Sequence, residues 1–316
     1  MWRFVLRRSA QAVAVLWAAY TVSFFILFYL PGDSVDAAAG AAGAATSIDP
    51  GQLDQRRSEY GLDEPVLTQY AQHLSGALRG DFGTSFASGE PVSSLLADAL
   101  PPTLQLTLAA LVLAIVAGTA LAVLATYGVS RWLQQVLLSL PSLAISIPTF
   151  WIGLMLIQVL SFRVRVFPAF GNDGWRGLIL PTVTLAIPTA ALLAQVLTKS
   201  LSTTLEEPYV QTARAKGASP TRIRLRHALQ NASLPALTVV GLLVGGLLAN
   251  SVLIETVFSR NGLGRVIVDA VTVQDIPVVQ GVVVFSAVVF VTVNLLVDLI
   301  YPLLDPRVVS EARSSV

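Results

Sequence analysis

The densest run of side chains able to bind or push against something lies between Glu206 and His227: EEPYVQTARAKG followed by ASPTRIRLRH. Acids open the run and bases close it, the order that complements a helix dipole, positive at the N-terminal end and negative at the C-terminal end. Gly217 is placed to end one helix with a positive φ, and Ser219 with Pro220 reads as the cap and first residue of the next. The spacing therefore predicts a helix, a sharp turn and a second helix. Ala213 and Ala215 would let another protein's surface come close, with the charges of Arg214 and Lys216 beside them. The same residues also suit a solvated loop whose arginines fix orientation or touch anionic lipid.

Other reactive chemistry is thin. The chain has no cysteine, which excludes a disulfide framework, a thiolate metal site and a cysteine nucleophile. Its two histidines, His73 and His227, share no nearby ligand set, so no metal site is expected. No G-x-x-x-x-G-K-[ST] phosphate loop occurs, so any ATP hydrolysis belongs to another chain and no cofactor is expected in this one. A formal net charge of +1 offers no field for nucleic acid.

The elements that carry the run are set by composition. Of 316 residues, 54% are hydrophobic and 12% charged, against about 25% charged in soluble domains. The apolar residues fall in six blocks near Ala10 to Leu30, Thr103 to Tyr127, Val136 to Leu160, Leu178 to Thr198, Leu234 to Phe258 and Gln280 to Tyr301. Each approaches the roughly 20 residues that a bilayer-spanning helix needs. Gly118, Gly241 and Gly245 inside them suit close helix packing, and Pro148 and Pro188 predict kinks in the third and fourth spans. The first block follows Arg3, Arg7 and Arg8 as a signal peptide would, but its apolar run exceeds the about 7–15 residues of such a leader, so it is read as a retained span.

Lysine and arginine favour a cytoplasmic N-terminus, which puts Arg131, Lys199, Arg214, Lys216, Arg222, Arg224, Arg226, Arg307 and Arg313 inside as well. Both termini are then cytoplasmic. The outer connection from Pro31 to Pro102 carries ten acidic residues against three arginines. It is too long for a bare connector and reads as a small external subdomain, with a flexible Ala/Gly stretch near Ala37 to Ala45, helical spacing over Gln52 to Leu78 and a turn over Arg79 to Ser85. The expected organisation is residues 1–102 as first span plus acidic loop, 103–305 as membrane core with the elbow segment at 199–233, and 306–316 as a short tail.

Among the polar residues at membrane depth, four are candidates for a pathway or an interface. Glu255 near the outer end of the fifth span and Asp298 near the inner end of the sixth could line a path or fix helix packing. Asn294, four residues before Asp298, offers that carboxylate a local partner. Gln158 and Gln195 could touch a peptide backbone or hydrogen-bond between helices.

The elbow YVQTARAKGASPTRIRLRHALQNASLP resembles the coupling segment of ABC importer permeases of the dipeptide/oligopeptide/nickel branch. Gln211, Thr212, Ala213 and Gly217 fall on the general signature, Glu-Ala-Ala, three residues, Gly. Gln211 and Thr212 depart from its first two positions, and Leu234-Pro235 lies about five residues beyond the signature's Leu-Pro. Both departures are similar to the peptide branch. The resemblance also covers MWRFVLRR, FYLPGD, YGLDEPVLTQY, LRGDFGTSF, ALPPTLQLTLAA, SIPTFWIGL, IETVFSRNGLGR and NLLVDLIYPLLDPR, nearly end to end. Asn261 stands before Gly262-Leu263-Gly264, where a proline is common.

The resemblance implies an all-α polytopic membrane protein of six transmembrane helices, with the type I ABC importer (MetI-like) permease fold and an external N-terminal insertion. It implies half of a translocation pathway in a prokaryotic cell membrane, shared with a homologous second permease, two cytoplasmic ABC ATPases that hold ATP and magnesium, and an external solute-binding protein. Gln211, Thr212, Ala213, Arg214, Ala215, Lys216 and Gly217 would then contact an ATPase. Gly80, Asp81, Phe82, Gly83, Thr84 and Ser85 would either contact the binding protein or hold the external subdomain together. Dipeptides or short oligopeptides are the expected cargo, with nickel or glutathione-like solutes as alternatives; nickel would ride on the binding protein. A stand-alone carrier would show an internal repeat, and the two sets of three spans have no self-similarity.

Overall fold

The computed structural model describes residues 2–28, 64–127, 130–172 and 174–304. The Ala37 to Ala45 stretch, the Gln52 to Asp63 part of the expected Gln52 to Leu78 helical region, the tail from Asp305 and the side chain of Asp298 lie outside the described residues. In chain order the helices are α1 (Trp2–Phe28), α2 (Val66–Ala77), α3 (Val92–Ala125), α4 (Arg131–Ser146), α5 (Thr149–Leu156), α6 (Gly174–Leu205), α7 (Pro208–Ala215), α8 (Leu229–Val257), α9 (Leu263–Thr272) and α10 (Ile276–Leu304). A π-helical turn, Ile157–Arg163, extends α5; a single turn, Pro220–Arg222, and a second π-helical turn, Ile223–Ala228, lead into α8.

Among the described residues, five helical stretches are long and apolar enough to cross a membrane: Leu6–Leu27, Val92–Ala125, Gly174–Leu205, Val239–Val257 and Ile276–Leu295. The third apolar block departs from the expected single helix. It is two helical arms, Arg131–Ser146 and Thr149–Arg163, bent by 99°, and counts as the sixth crossing when taken as one span. Proline disfavours the helical region for the residue before it, and Ile147 is extended at φ −92° and ψ 127°, with Pro148 at the start of the second arm. The expected kink at Pro148 is thus a full corner, whereas α6 runs as one element through both Pro181 and Pro188.

The chain divides into two compact units. One comprises Trp2–Thr103 with Arg260–Val291. Its core joins Val92, Leu96 and Ala99 of α3 to Leu263 and Ala270 of α9 and to Val278, Val279 and Val282 of α10. Val92, Leu96, Ala99 and Thr103 recur at helical spacing and are all buried. That stripe explains why the helix begins at Val92, well before the apolar block at Thr103. Thr103 Oγ1 accepts the Leu263 amide at 2.9 Å, satisfying a donor that the first turn of α9 leaves open. On α1, Tyr20, Phe24 and Phe25 pack against Tyr70 of α2, and Thr21 Oγ1 lies 2.8 Å from the Tyr70 hydroxyl.

The other unit comprises Leu104–Ser259 and the chain from Thr292. Helix α6 is its centre, packed against α8, α4 and α5. In α6 67% of the apolar window is buried, against 11% in α1, whose Leu6, Val13, Trp17, Val22 and Ile26 remain exposed. Lipid is as apolar as leucine, so helices in a bilayer associate through close packing of small residues. Ala186, Ala190, Ala191 and Ala194 supply that face on α6, and a Cβ on Gly118 would lie only 2.8 Å from the Ala190 carbonyl oxygen.

Candidate functional site: the coupling elbow

The elbow has the helix, turn and helix that its spacing predicts. Helix α7 starts at Pro208 and ends at Ala215. Gly217 has φ +82°, its amide bonds back to Arg214 O at 2.9 Å, and the Ala218 amide reaches Ala213 O at 3.1 Å. Those two bonds form a Schellman ending. Ser219 Oγ accepts the Arg222 amide at 3.4 Å, and Pro220 opens the next turn. The second helix differs from a short separate one: it passes through the π-helical turn Ile223–Ala228 directly into α8.

Val210 is fully buried beneath α7, while Gln211, Thr212, Arg214, Ala215, Lys216 and Gly217 are exposed and Ala213 is half-buried. The helix thus presents a small-residue face with two positive charges to whatever lies below it. A polar cavity of about 430 Å³ adjoins it, lined by Thr126, Gln134, Ser202, Glu206, Gln211 and Arg214.

Two ties that the spacing did not reveal hold the elbow. Tyr209 of α7 donates to the His227 carbonyl at 3.1 Å and accepts from Asn231 Nδ2 at 2.9 Å. Arg224 sends Nε (3.1 Å) and Nη2 (2.9 Å) to the Thr126 carbonyl, just past the end of α3, and Nη1 to Pro220 O at 3.3 Å. Its guanidinium lies 4.7 Å from the Tyr127 ring centroid, and the Tyr127 and Thr221 hydroxyls hydrogen-bond to each other. The number of arginines between Arg222 and Arg226 hid which one turns inward; only a fold that places Thr126 alongside shows it.

The second predicted region, Arg79 to Ser85, is a turn with positive φ at Gly80 (81°) and Gly83 (79°). Ser85 is buried and donates to Asp275 at 2.5 Å. Asp275 also accepts the Phe86 and Ala87 amides, both at 3.2 Å. Phe82 is half-buried against the apolar core of its unit, and Thr84 bridges to Pro91. Gly80, Asp81 and Gly83 are the exposed part of this tip. Asp275 was not singled out from sequence, because its partner Ser85 lies 190 residues away.

Of the four polar candidates at membrane depth, Glu255 is completely buried. Gln195 is exposed and donates to Ser142 Oγ at 3.4 Å. Gln158 is exposed on the π-helical extension of α5. Asp298 lies in α10, with its side chain outside the described residues. Among the described residues no group of three or more His, Asp or Glu is arranged to hold a metal.

Among the described residues, five long apolar helices, a cornered sixth and an exposed small-residue elbow define a multi-spanning membrane protein. Comparison with known proteins gives the same class. The family described as binding-protein-dependent transport system inner membrane component matches residues 114–310, and its N-terminal companion matches residues 1–107. The glutathione transport system permease protein GsiC of Escherichia coli K12 is 36% identical over 308 residues, 98% of this chain and 99% of that protein. A probable peptide ABC transporter permease protein, y4tP, of Sinorhizobium fredii is 37% identical over 313 residues, 96% of this chain and 98% of that one. This chain belongs to the binding-protein-dependent transport system inner membrane component family. It is a multi-pass permease subunit of an ABC importer, a transport subunit and not itself an enzyme.

Proposed function

We propose that the chain forms half of a translocation pathway for short peptides, glutathione-type peptides included, and converts closure of partner ATPases into alternating access. The observation that carries this is the elbow: a rigid, Schellman-capped helix with an exposed face of Gln211, Thr212, Ala213, Arg214, Ala215, Lys216 and Gly217, standing on the buried Val210. That face docks in a cleft on a cytoplasmic ATPase, where ATP and magnesium are held, and the lysine/arginine bias supports a cytoplasmic side for the elbow and both termini. A homologous second permease completes the pathway. The peptide cargo is supported by two relatives of different printed cargo, glutathione and peptide, that match with nearly equal identity.

On the outer side, Gly80, Asp81 and Gly83 form the surface offered to a binding protein, while Phe82 and Ser85 hold the tip in shape. Gln158 and Gln195 are the path-lining candidates, exposed as they are; Glu255, fully buried, serves packing. The test is reconstitution of the chain with its neighbouring permease, ATPases and binding protein. ATP hydrolysis should rise only when binding protein and a dipeptide or glutathione are both present. Assembly with ATPases but no response to any peptide would overturn the cargo, and no assembly would overturn the coupling role.

A further inference from the structure

Elbow docking explains how an ATPase could grip the chain, but not how its motion reaches the spans. The loop between α6 and α7 is short and the elbow continues into α8, so movement along the chain reaches those two helices directly. Helix α3 has no such covalent route, since Ala125 lies far from the elbow in sequence.

We infer that Arg224 is the positioning residue that carries elbow motion into α3, by clamping the carbonyl end of that helix. The last carbonyls of a helix lack intrahelical partners and carry the negative end of its dipole. Arg224 meets that end with two N–H groups on the one Thr126 oxygen, and its third group ties back to Pro220 within the elbow. Its charge rests on the Tyr127 ring, whose hydroxyl bonds Thr221. Arginine supplies a planar fork and a stacking face together, which lysine cannot. Tyr209, bonded to His227 O and Asn231, fixes α7 to the same turn, so the gripped helix and the clamp move as one piece. The π-helical geometry of Ile223–Ala228, a form that recurs at functional sites, brings Arg224 and the His227 carbonyl to these partners.

This inference rests on the elbow being the ATPase dock, and its test separates the two. The complete importer is reconstituted in vesicles with wild-type, Arg224→Gln, Arg224→Lys or Gly217→Val chain, and solute moved per ATP hydrolysed is measured alongside ATPase co-purification. Both Arg224 variants should bind ATPases at the wild-type ratio and hydrolyse ATP, yet move roughly tenfold less solute per ATP, the scale of losing charge-assisted hydrogen bonds. A wild-type solute-to-ATP ratio in Arg224→Gln, or loss of ATPase binding in it, overturns the inference. If Gly217→Val also transports normally, the docking reading itself falls; if only Gly217→Val uncouples, the clamp alone falls.

An independent arm does not depend on how the arginine variants fold. Because this chain has no cysteine of its own, Tyr127→Cys with Thr221→Cys gives it a single thiol pair that a short bifunctional reagent can join before the chain is assembled with its partners. A clamp that persists through the cycle predicts that joining leaves transport intact in the chain that keeps Arg224. A joined pair that blocks transport overturns it.

Discussion

Gly217 shows how little a single side chain needs to do to matter. A Cβ there would meet nothing within 4 Å, so the position excludes side chains by its φ of +82° alone. A left-handed conformation costs an L-residue about 1–2 kcal/mol. Gly217→Val should therefore insert normally yet lose coupled transport, while Gly217→Asn, which tolerates that conformation, should keep most of it; transport assays on equal amounts of inserted protein separate the two. His73 belongs to the same scale. Its ring lies 6.4 Å from that of Phe24, and partial desolvation of the imidazole lowers its pKa below the ordinary 6.5. The unfolded chain then takes up the proton first, so packing of α2 is at full strength above pH ~6.5 and weakens as pH falls through that value. Protection factors across Val66–Ala77, taken after correction for the intrinsic pH dependence of amide exchange, should fall between pH 7.5 and 5, and His73→Gln should flatten that fall.

At the scale of elements, the apolar blocks told where helices lie but not where they turn. Pro148 and Pro188 look alike in sequence, yet only the first makes a corner, because Ile147 before it is free to be extended while α6 is held by neighbours on several sides. The start of α3 at Val92 was legible only as a buried stripe, since the residues between it and Thr103 are mixed in polarity. Two contacts between elements give measurable consequences. Gly118→Val would force a side chain against the Ala190 carbonyl and part α3 from α6; overpacking of this kind costs about 1–3 kcal/mol and should lower the melting temperature in detergent. Asp275→Ala would strip the acceptor from the Ser85 hydroxyl and two amides, a loss of about 2–5 kcal/mol that limited proteolysis should register as cleavage between Gly80 and Glu90.

For the whole molecule, composition and block length gave an all-helical, multi-spanning chain, and the elbow's turn chemistry was readable to the residue because Gly217, Ser219 and Pro220 each have a local reason for their place. What stayed hidden was every tie between distant stretches. Tyr209 and Asn231 stood within the recognisable elbow sequence, but their mutual bond depends on how α7 folds back on the turn before α8. Arg224 was one base among several until Thr126 appeared beside it. The compact unit around α1 could not be read as a linear segment either, because Arg260–Val291 completes it.

The Asp275 anchor also sets a schedule. Ser85 and its acceptor are 190 residues apart, so the Gly80 to Glu90 tip cannot close until the ribosome has delivered the chain as far as Asp275. At about 5–20 residues per second this leaves roughly 10–40 s in which α1 and the acidic loop have been made and their latch has not. Chains stalled before residue 275 should keep the Gly80 to Glu90 stretch open to protease, and chains released past α10 should protect it.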